Sequence, residues 1–265
     1  MHKYPKLLRI PYDHVMVSKG KRYHPKPKTF FKGKIELSVT EKVDGSLVGV
    51  GYKGGMPYLQ GKNTHIPQGD KRKAYYGIWS WAWKNLEKIQ NLKGYIIFGE
   101  WMRVQHNLPY DHLPDWFIGF DVYEIKTKRF FDINSAHDFM EDIGFSHVPI
   151  IYEGKVAYEE LPDLVQGQKS FFATTTDLFD MRFGEDEIKQ IKHANSGERF
   201  EDNKIYMEGC VIKPYHNPKY QIDKKTMWWQ NCAKFVSQEF LDEFEEDCHW
   251  TSHRMRENKL MEWKK

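Results

Sequence analysis

Cysteine is scarce in this chain of 265 residues, and its three copies are not placed for a metal site or a disulfide framework. Cys210, Cys232 and Cys248 are widely spaced, are odd in number and form no Cys-x-x-Cys pair. Structural zinc sites and small secreted domains use closely paired cysteines. We therefore expect reduced thiols in a cytoplasmic protein.

Long apolar runs are also missing. No stretch approaches the roughly 20 apolar residues that a membrane-spanning helix needs. The opening residues, MHKYPKLLRIPYDH, lack the apolar centre of a signal peptide. The sequence predicts a cytoplasmic protein with no membrane partner, and we expect a monomer.

A strong excess of either charge is absent as well. The 40 Lys and Arg residues face 37 Asp and Glu residues, which leaves a net charge of +3. Residues 19–34 and 69–77 are nevertheless locally basic and mix cations with aromatic residues or histidine. Nucleic-acid grooves combine cations that neutralise phosphates with rings that stack on bases, but solvated loops are rich in lysine too. For these two segments both interpretations stay open.

Strand and helix patterns alternate irregularly. Runs of β-branched and aromatic residues predict strands at 34–39, 47–52, 95–100, 116–124 and 206–213. Apolar spacing of three or four predicts a helix within 72–94, and capping residues predict another at 134–144. Shorter helices are predicted at 159–168 and 185–195. This irregular order favours an α+β fold on antiparallel sheets over a doubly wound sheet.

The length favours one sizeable domain with a small addition. We expect the main domain at residues 1–236 and a C-terminal helical tail at residues 237–265, where the sequence is first acidic and then basic. An OB-fold needs five strands, and the tail is too short to form one.

The segment TEKVDGSL, residues 40–47, places Lys42 and Asp44 two positions apart after a predicted strand and follows them with Gly45. Alone, Lys-x-Asp-Gly is also typical of a turn between strands with two exposed charges. Three more patterns follow in order along the chain: FGE ending at Glu100, FD at Phe120 and Asp121, and EGCVIK from Glu208 to Lys213.

This ordered set resembles the motifs of the covalent nucleotidyltransferases, the superfamily of ATP-dependent polynucleotide ligases and RNA capping enzymes. Leu47 stands where DNA ligases and capping enzymes usually carry arginine, so the chain is most similar to RNA ligase 2-type enzymes. The resemblance implies a nucleotidyltransferase domain, of the ATP-grasp-like ligase adenylation type, with antiparallel sheets flanked by helices.

The implied activity is ATP-dependent RNA ligation for RNA repair. Lys42 would attack ATP to form a lysyl-AMP intermediate, AMP would pass to an RNA 5′-phosphate, and a 3′-hydroxyl would then seal the strand. A lysine has an ordinary pKa of about 10.4, so the amine must first lose a proton. We expect burial, Lys213, Lys234 and a divalent ion near Lys42 to favour that loss.

The resemblance assigns roles residue by residue. The catalytic set is Lys42, Asp44, Glu208, Lys213 and Lys234, and the nucleotide-binding set is Glu41, Lys42, Gly45, Lys62, Glu100, Phe120, Lys213 and Lys234. In this assignment Phe120 stacks on adenine and Glu100 binds ribose. Glu208 is expected to hold Mg²⁺, or Mn²⁺, because carboxylates suit hard cations.

Two other functions compete with this one. Trp229 and Asn231 stand where the last motif of RNA ligases supplies lysines, which leaves a weakened nucleotide-binding or RNA-binding protein as one alternative. A minimal DNA ligase or a capping-type guanylyltransferase is the other. The tryptophans of the predicted 72–94 helix favour core packing over a base-stacking platform.

Overall fold

A computed structural model of the chain describes residues 1–10, 36–173, 206–214, 232–237, 240 and 255–261. The predicted helix at 185–195, the basic segment at 19–34 and most of the predicted tail lie outside the described residues. Trp229, Asn231 and Cys248 also lie outside them.

The described residues form two five-stranded sheets. Their strands are β1 (Leu8–Arg9), β2 (Leu37–Glu41), β3 (Ser46–Lys53), β4 (Met56–Gly61), β5 (Tyr95–Trp101), β6 (Phe117–Glu124), β7 (Arg129–Phe130), β8 (Ile150–Gly154), β9 (Gly209–Pro214) and β10 (Ala233–Val236). The first sheet has the order β1-β10-β9-β2-β8, and the second has the order β4-β3-β5-β6-β7. Every pairing is antiparallel except the one between β1 and β10. The predicted α+β class is confirmed.

The chain passes from the first sheet to the second through residues 42–45. β2 ends at Glu41, paired with Cys210 of β9, and β3 begins at Ser46, paired with Trp101 of β5. The Lys-x-Asp-Gly motif therefore occupies the crossing between the sheets. A side chain at this crossing can meet residues from both sheets.

Three α-helices are described: α1 (Ile78–Lys84), α2 (Leu86–Gln90) and α3 (Ile133–Asp142). Their apolar residues, including Ile78, Ala82 and Met140, pack into one cluster with apolar residues of the second sheet. The helix predicted within 72–94 is real but broken, because Gly77 has a φ of 76° and Asn85 separates α1 from α2. The helix at 134–144 is confirmed, with Asp132 as its N-cap.

All five predicted strands are present in the described residues, with small shifts at their ends. Sequence patterns missed β4, although Gly54 and Gly55, with φ values of 62° and 81°, are typical of the tight turn that joins it to β3. The helix predicted at 159–168 is only a 3₁₀ turn at Tyr158–Glu160 followed by further turns.

The C-terminal residues 255–261 differ from the helical prediction. They run as an extended segment beside residues 103–113, with alternating backbone hydrogen bonds such as Asn258 N–H to the Arg103 carbonyl, 3.0 Å. The Asn258 side chain accepts from Tyr110 N–H at 2.9 Å and donates to the Met102 carbonyl at 2.6 Å. These long-range hydrogen bonds pair backbone groups that a helix would have paired locally.

None of the described helices is long and apolar enough to span a membrane.

Candidate active site

Lys42 lies immediately after β2, at the crossing between the sheets. Its backbone N–H donates to the Gly209 carbonyl at 2.9 Å, which fixes its position beside the start of β9. Its ammonium donates to a carboxylate oxygen of Glu208, the residue before Gly209. The first and fourth motifs of the sequence therefore meet at one ion pair.

A cavity of ≈ 220 Å³ opens beside Lys42 and is lined by residues of both sheets. Seven of the predicted site residues line it: Glu41, Lys42, Lys62, Glu100, Phe120, Lys213 and Lys234. Asp44, Gly45 and Glu208 do not belong to its lining. The structure thus collects most of the predicted nucleotide-binding set around one space, and the role of each residue remains a prediction.

Lys234 of β10 supplies cationic character to this cavity. Burial, followed by the nearby charge of Lys42, lowers the pKa of Lys234 to about 8. Arg9 and Lys62 contribute in the same direction. The charge of Glu208 opposes this shift only in part. Lys42, Lys62, Lys213 and Lys234 line the cavity together, and clustered cations of this kind favour an anionic ligand.

Lys42 itself shows the opposite shift. Burial alone would lower the pKa of Lys42, but the carboxylates of Glu208, Asp44 and Glu100 outweigh burial, and the pKa is raised. The expectation that burial and neighbouring lysines favour the neutral amine is therefore wrong for the described residues alone, and the contribution of a divalent ion stays a prediction. The nearest charged groups are carboxylates, and they stabilise the ammonium.

Glu100, in β5, carries a buried carboxylate oxygen, Oε2, that has no hydrogen-bond partner. Burial raises the pKa of Glu100 well above its usual value, and the charge of Lys42 only partly opposes this. Buried polar atoms normally have partners, and those without one often mark a place where a ligand binds. Because Glu100 lines the cavity, a ligand hydroxyl there would satisfy it.

Asp44 does not line the cavity, and its hydrogen bonds hold the crossing in place. Its Oδ2 accepts from Asn107 N–H at 2.7 Å and from Leu108 N–H at 3.2 Å, and its own N–H donates to the Tyr110 hydroxyl at 2.9 Å. Burial would raise the pKa of Asp44, but the hydrogen bond and charge of His106 together with Lys42 lower it. Asp44 thus anchors the motif to residues 106–110.

Gly45 is required by close packing. A Cβ at this position would come within 2.6 Å of Met102 Sδ and 2.9 Å of the Trp101 carbonyl oxygen. The end of β5 therefore approaches the crossing too closely for any side chain. This contact explains the glycine without reference to a nucleotide.

Lys213 and Phe120 lie next to each other in the lining of the cavity. The Lys213 ammonium donates to Asp121 Oδ1 and to the Phe120 carbonyl, each at 2.8 Å, and lies 5.6 Å from the centre of the Phe120 ring. Lys213 and Asp121 are almost completely buried. Lys213 of β9 therefore contacts both the backbone and the ring of Phe120.

Glu41 reaches a partner that sequence patterns did not indicate. Its carboxylate accepts from the Ser170 hydroxyl at 2.6 Å and from Phe171 N–H at 3.1 Å. Burial raises the pKa of Glu41 to about 7, against the effect of these two hydrogen bonds. Tyr4 and its neighbours, which also line the cavity, were missed as well, because nothing local in the sequence signals such distant contacts.

The side chains near Lys42 could bind a metal ion only together with other ligands. Within the part of the chain that the structure describes, no group of three or more His, Cys, Asp or Glu side chains could hold a metal by itself. Glu208, beside Lys42, would offer an ion one carboxylate, so the ion would need further oxygen ligands from phosphates and water, as Mg²⁺ usually does. The residues fit that kind of shared site.

The fold and the site define a class: α+β domains with a lysine-lined cavity between two mostly antiparallel sheets. A family model described as RNA ligase matches residues 35–236, which is most of the chain. The protein belongs to the RNA ligase family.

Solved structures of a Naegleria gruberi RNA ligase share this fold. The ligase with PPi is 17% identical, with a TM-score of 0.55 over 93% of this chain and 63% of that chain. A mutant with ATP and Mn is 15% identical, with a TM-score of 0.53 over 92% and 62% of the two chains. Another mutant, with AMP and Mn, is 17% identical, with a TM-score of 0.51 over 83% and 54%.

This chain thus spans between 54% and 63% of the length of these solved ligases. A comparison with curated protein sequences found no significant match.

Proposed function

We propose that this protein is an ATP-dependent RNA ligase that seals 5′-phosphate and 3′-hydroxyl ends through lysyl-AMP and RNA-adenylate intermediates. The observation that carries the proposal is the position of Lys42, which lies at the wall of a cavity shared with Lys62, Lys234 and the unpartnered Glu100 carboxylate. A nucleophilic lysine beside a polyanion site is what adenylyl transfer requires. Membership of the RNA ligase family supports RNA as the substrate.

The first step requires a neutral amine at Lys42. Its lone pair attacks the α-phosphorus of ATP, a P–N bond forms, and the P–O bond to pyrophosphate breaks. The nitrogen then releases one proton to solvent, and pyrophosphate leaves with the electron pair of the broken P–O bond. Lys62 and Lys234 line the same cavity and would stabilise the phosphate oxygens as charge develops on them.

The second and third steps return the lysine and join the strands. An oxygen of the RNA 5′-phosphate attacks the phosphorus of lysyl-AMP, the P–N bond breaks, and Lys42 recovers a proton. A 3′-hydroxyl then attacks the 5′-phosphate, loses its proton and expels AMP. Phe120 would present its ring to adenine, and Glu100 would bind a ribose hydroxyl with its unpartnered oxygen.

ATP and a divalent cation are the proposed cofactors, Mg²⁺ or Mn²⁺. The similar ligases were solved with ATP, AMP and Mn. Glu208 is the residue that would bind the cation, and a bound cation would supply positive charge to the phosphoryl oxygens.

RNA is proposed to approach the cavity along residues 62–76. Lys62 lines the cavity, and the Arg72 guanidinium donates to the Thr64 hydroxyl at 2.8 Å and lies 4.6 Å over the Tyr75 ring. Lys71 is exposed and Lys73 half-buried on the same segment. Cations and rings beside a phosphate-transfer site favour the nucleic-acid interpretation of residues 69–77 over the solvated-loop interpretation.

Protein labelling tests the covalent step directly. Incubation with Mg²⁺ and α-labelled ATP should transfer label to the protein, and Lys42→Ala should abolish the labelling. Lys53→Ala is the matched control, because Lys53 is an exposed lysine at the far end of β3 from the crossing. Label that persists in Lys42→Ala, or its absence from the unaltered protein, would refute the lysyl-AMP proposal.

Substrate comparison separates the competing functions. With ATP as the nucleotide substrate, the protein should seal 5′-phosphorylated RNA and should not seal an all-DNA nick. Labelling by GTP in place of ATP would indicate a guanylyltransferase. Equal sealing of an all-DNA nick would indicate a DNA ligase and would contradict the proposed substrate.

A further inference from the structure

Residues 4–7 form a wall of the cavity, and they lie outside the segment that the RNA ligase family model matches. Just after them, β1 pairs in parallel with β10, with Arg9 opposite Lys234. Just before them, the backbone of His2 exchanges two hydrogen bonds with the Gln60 side chain of β4. This segment therefore connects the second sheet to the first across the cavity.

Tyr4 connects this wall to Asp121 of β6. Its hydroxyl donates to Asp121 Oδ2 at 2.7 Å, while Lys213 donates to Oδ1 of the same carboxylate at 2.8 Å. Asp121 is 1% exposed, so these two donors replace water on its two oxygens. Burial and the charge of Asp121 raise the pKa of Tyr4 well above its usual value, and the hydroxyl stays a donor at neutral pH.

The Tyr4 ring packs on the aromatic end of the cavity. It lies 5.2 Å from the Phe120 ring at an interplanar angle of 66°, and 5.1 Å from the Phe98 ring. This edge-to-face arrangement is a favourable one for two aromatic rings, so Tyr4 packs directly against Phe120.

We propose that the segment 4–7 is part of the nucleotide-binding site and that Tyr4 is a positioning residue, which holds Phe120 and the Asp121–Lys213 pair in place for the purine base. The inference rests on the proposed function, since it takes the cavity to bind ATP. Tyr4 acts through Phe120 and Asp121 and takes no part in bond making. Its loss should therefore weaken nucleotide binding more than it slows the chemical step.

Two variants separate the ring from the hydroxyl. Tyr4→Phe removes only the donor to Asp121, and Tyr4→Ala removes the ring as well. Calorimetry with an ATP analogue whose α,β bridge cannot be cleaved measures the Kd without any reaction. We expect the Kd to rise about tenfold or more for Tyr4→Ala, which corresponds to about 1.4 kcal/mol, and a few-fold for Tyr4→Phe. In labelling experiments the KM for ATP should rise while kcat at saturating ATP changes little.

Tyr152→Phe is the matched control. The Tyr152 hydroxyl of β8 also donates to a fixed partner, the Lys155 carbonyl at 2.8 Å, but Tyr152 does not line the cavity. Its Kd should be unchanged. Urea unfolding of each variant checks that the fold is retained, and Tyr4→Phe preserves the test if Tyr4→Ala does not fold.

An unchanged or lower Kd in a folded Tyr4→Ala, or in Tyr4→Phe when only that variant folds, would overturn the positioning role. The same readout distinguishes this failure from failure of the proposed function. If the unaltered protein binds the analogue but does not label itself, the ligase mechanism fails and the wall can still be tested. If the unaltered protein does not bind the analogue, both inferences fail.

Discussion

At the scale of single residues, the protonation of Lys42 is the central feature of the site. The charged groups that most affect it are the carboxylates of Glu208, Asp44 and Glu100, which favour the ammonium over the amine. An amine nucleophile needs the opposite, so the electrostatics of the described residues hold Lys42 in its unreactive form. Removal of one carboxylate charge should move it toward the reactive form.

Glu208→Gln should lower the pKa of Lys42. The substitution keeps the size of the side chain but removes the negative charge that contacts the ammonium. Titration of the protein with ¹³C-labelled lysine, followed by NMR at Cε, measures this pKa directly. Glu153→Gln is the control, since Glu153 lies in β8 of the same sheet and interacts with Ser38 instead. An unchanged Lys42 titration in Glu208→Gln would show that the ion pair does not control the amine.

Glu41 gives a prediction about stability and pH. Its pKa is raised from 4.5 to about 7 by burial, so between these values the folded protein keeps a proton that the unfolded chain has lost. Stability from this group is therefore present below pH 4.5 and is lost as pH rises through 7. Each pKa unit corresponds to about 1.4 kcal/mol, which gives a loss on the order of 3 kcal/mol.

Urea unfolding at pH 5 and at pH 8 checks this. The fall in free energy of unfolding between the two pH values should be smaller in Glu41→Gln than in the unaltered protein, because the glutamine does not titrate. Other carboxyls titrate equally in both proteins and cancel in the comparison. An identical fall in both proteins would mean that Glu41 is charged throughout.

At the scale of elements, the crossing between β2 and β3 depends on the start of β9. A Cβ on Gly209 would come within 2.1 Å of the Phe235 carbonyl oxygen and 2.8 Å of Val236 Cα, both in the backbone of β10. Backbone atoms cannot move aside as a flexible side chain can. Glu208 and Lys42 both depend on this contact, since Lys42 N–H bonds to the Gly209 carbonyl.

Gly209→Ala should therefore destabilise the fold by more than about 2 kcal/mol, as overpacking against a rigid neighbour does. Gly54→Ala is the control, because Gly54 has a φ of 62° but no atom within 4 Å of its Cβ direction. It should lose only the conformational strain of about 1 to 2 kcal/mol. Thermal unfolding compares the two, and equal losses would mean that β10 yields to the new methyl group.

The elements also show how far sequence patterns reach. Runs of β-branched and aromatic residues located β3, β5 and β6, because each strand packs one or both faces into a core and the pattern is local. β1, β7 and β10 are only two to four residues long, and β10 lies against β1 and β9 from distant parts of the chain. Such short strands are made by their partners, so no local signal predicts them.

At the scale of the whole molecule, the site was only partly predictable. Ordered motifs pointed to Lys42, Glu100, Phe120 and Lys213, and the structure places these four around one cavity. The same motifs did not reveal that Tyr4 lines the cavity or that Asn258 supports the segment bearing Tyr110, which binds the backbone of Asp44. The Tyr4–Asp121 and Asn258–Tyr110 contacts join residues more than a hundred positions apart, and only the folded chain brings them together.

The approach of RNA is also a property of the whole molecule. The double variant Lys71→Ala, Lys73→Ala should bind 5′-phosphorylated RNA several-fold more weakly. The slope of log K against log[salt] should become shallower by about 0.7 for each phosphate of a single strand that the protein no longer neutralises. Fluorescence anisotropy at several salt concentrations measures both, and self-labelling by ATP should be unaffected because neither lysine lines the cavity. The control removes Lys53 and Lys126, exposed residues at the other end of the second sheet. Equal effects of the two double variants would mean that RNA binding depends only on the total charge of the protein. That result would contradict a docking path along residues 62–76.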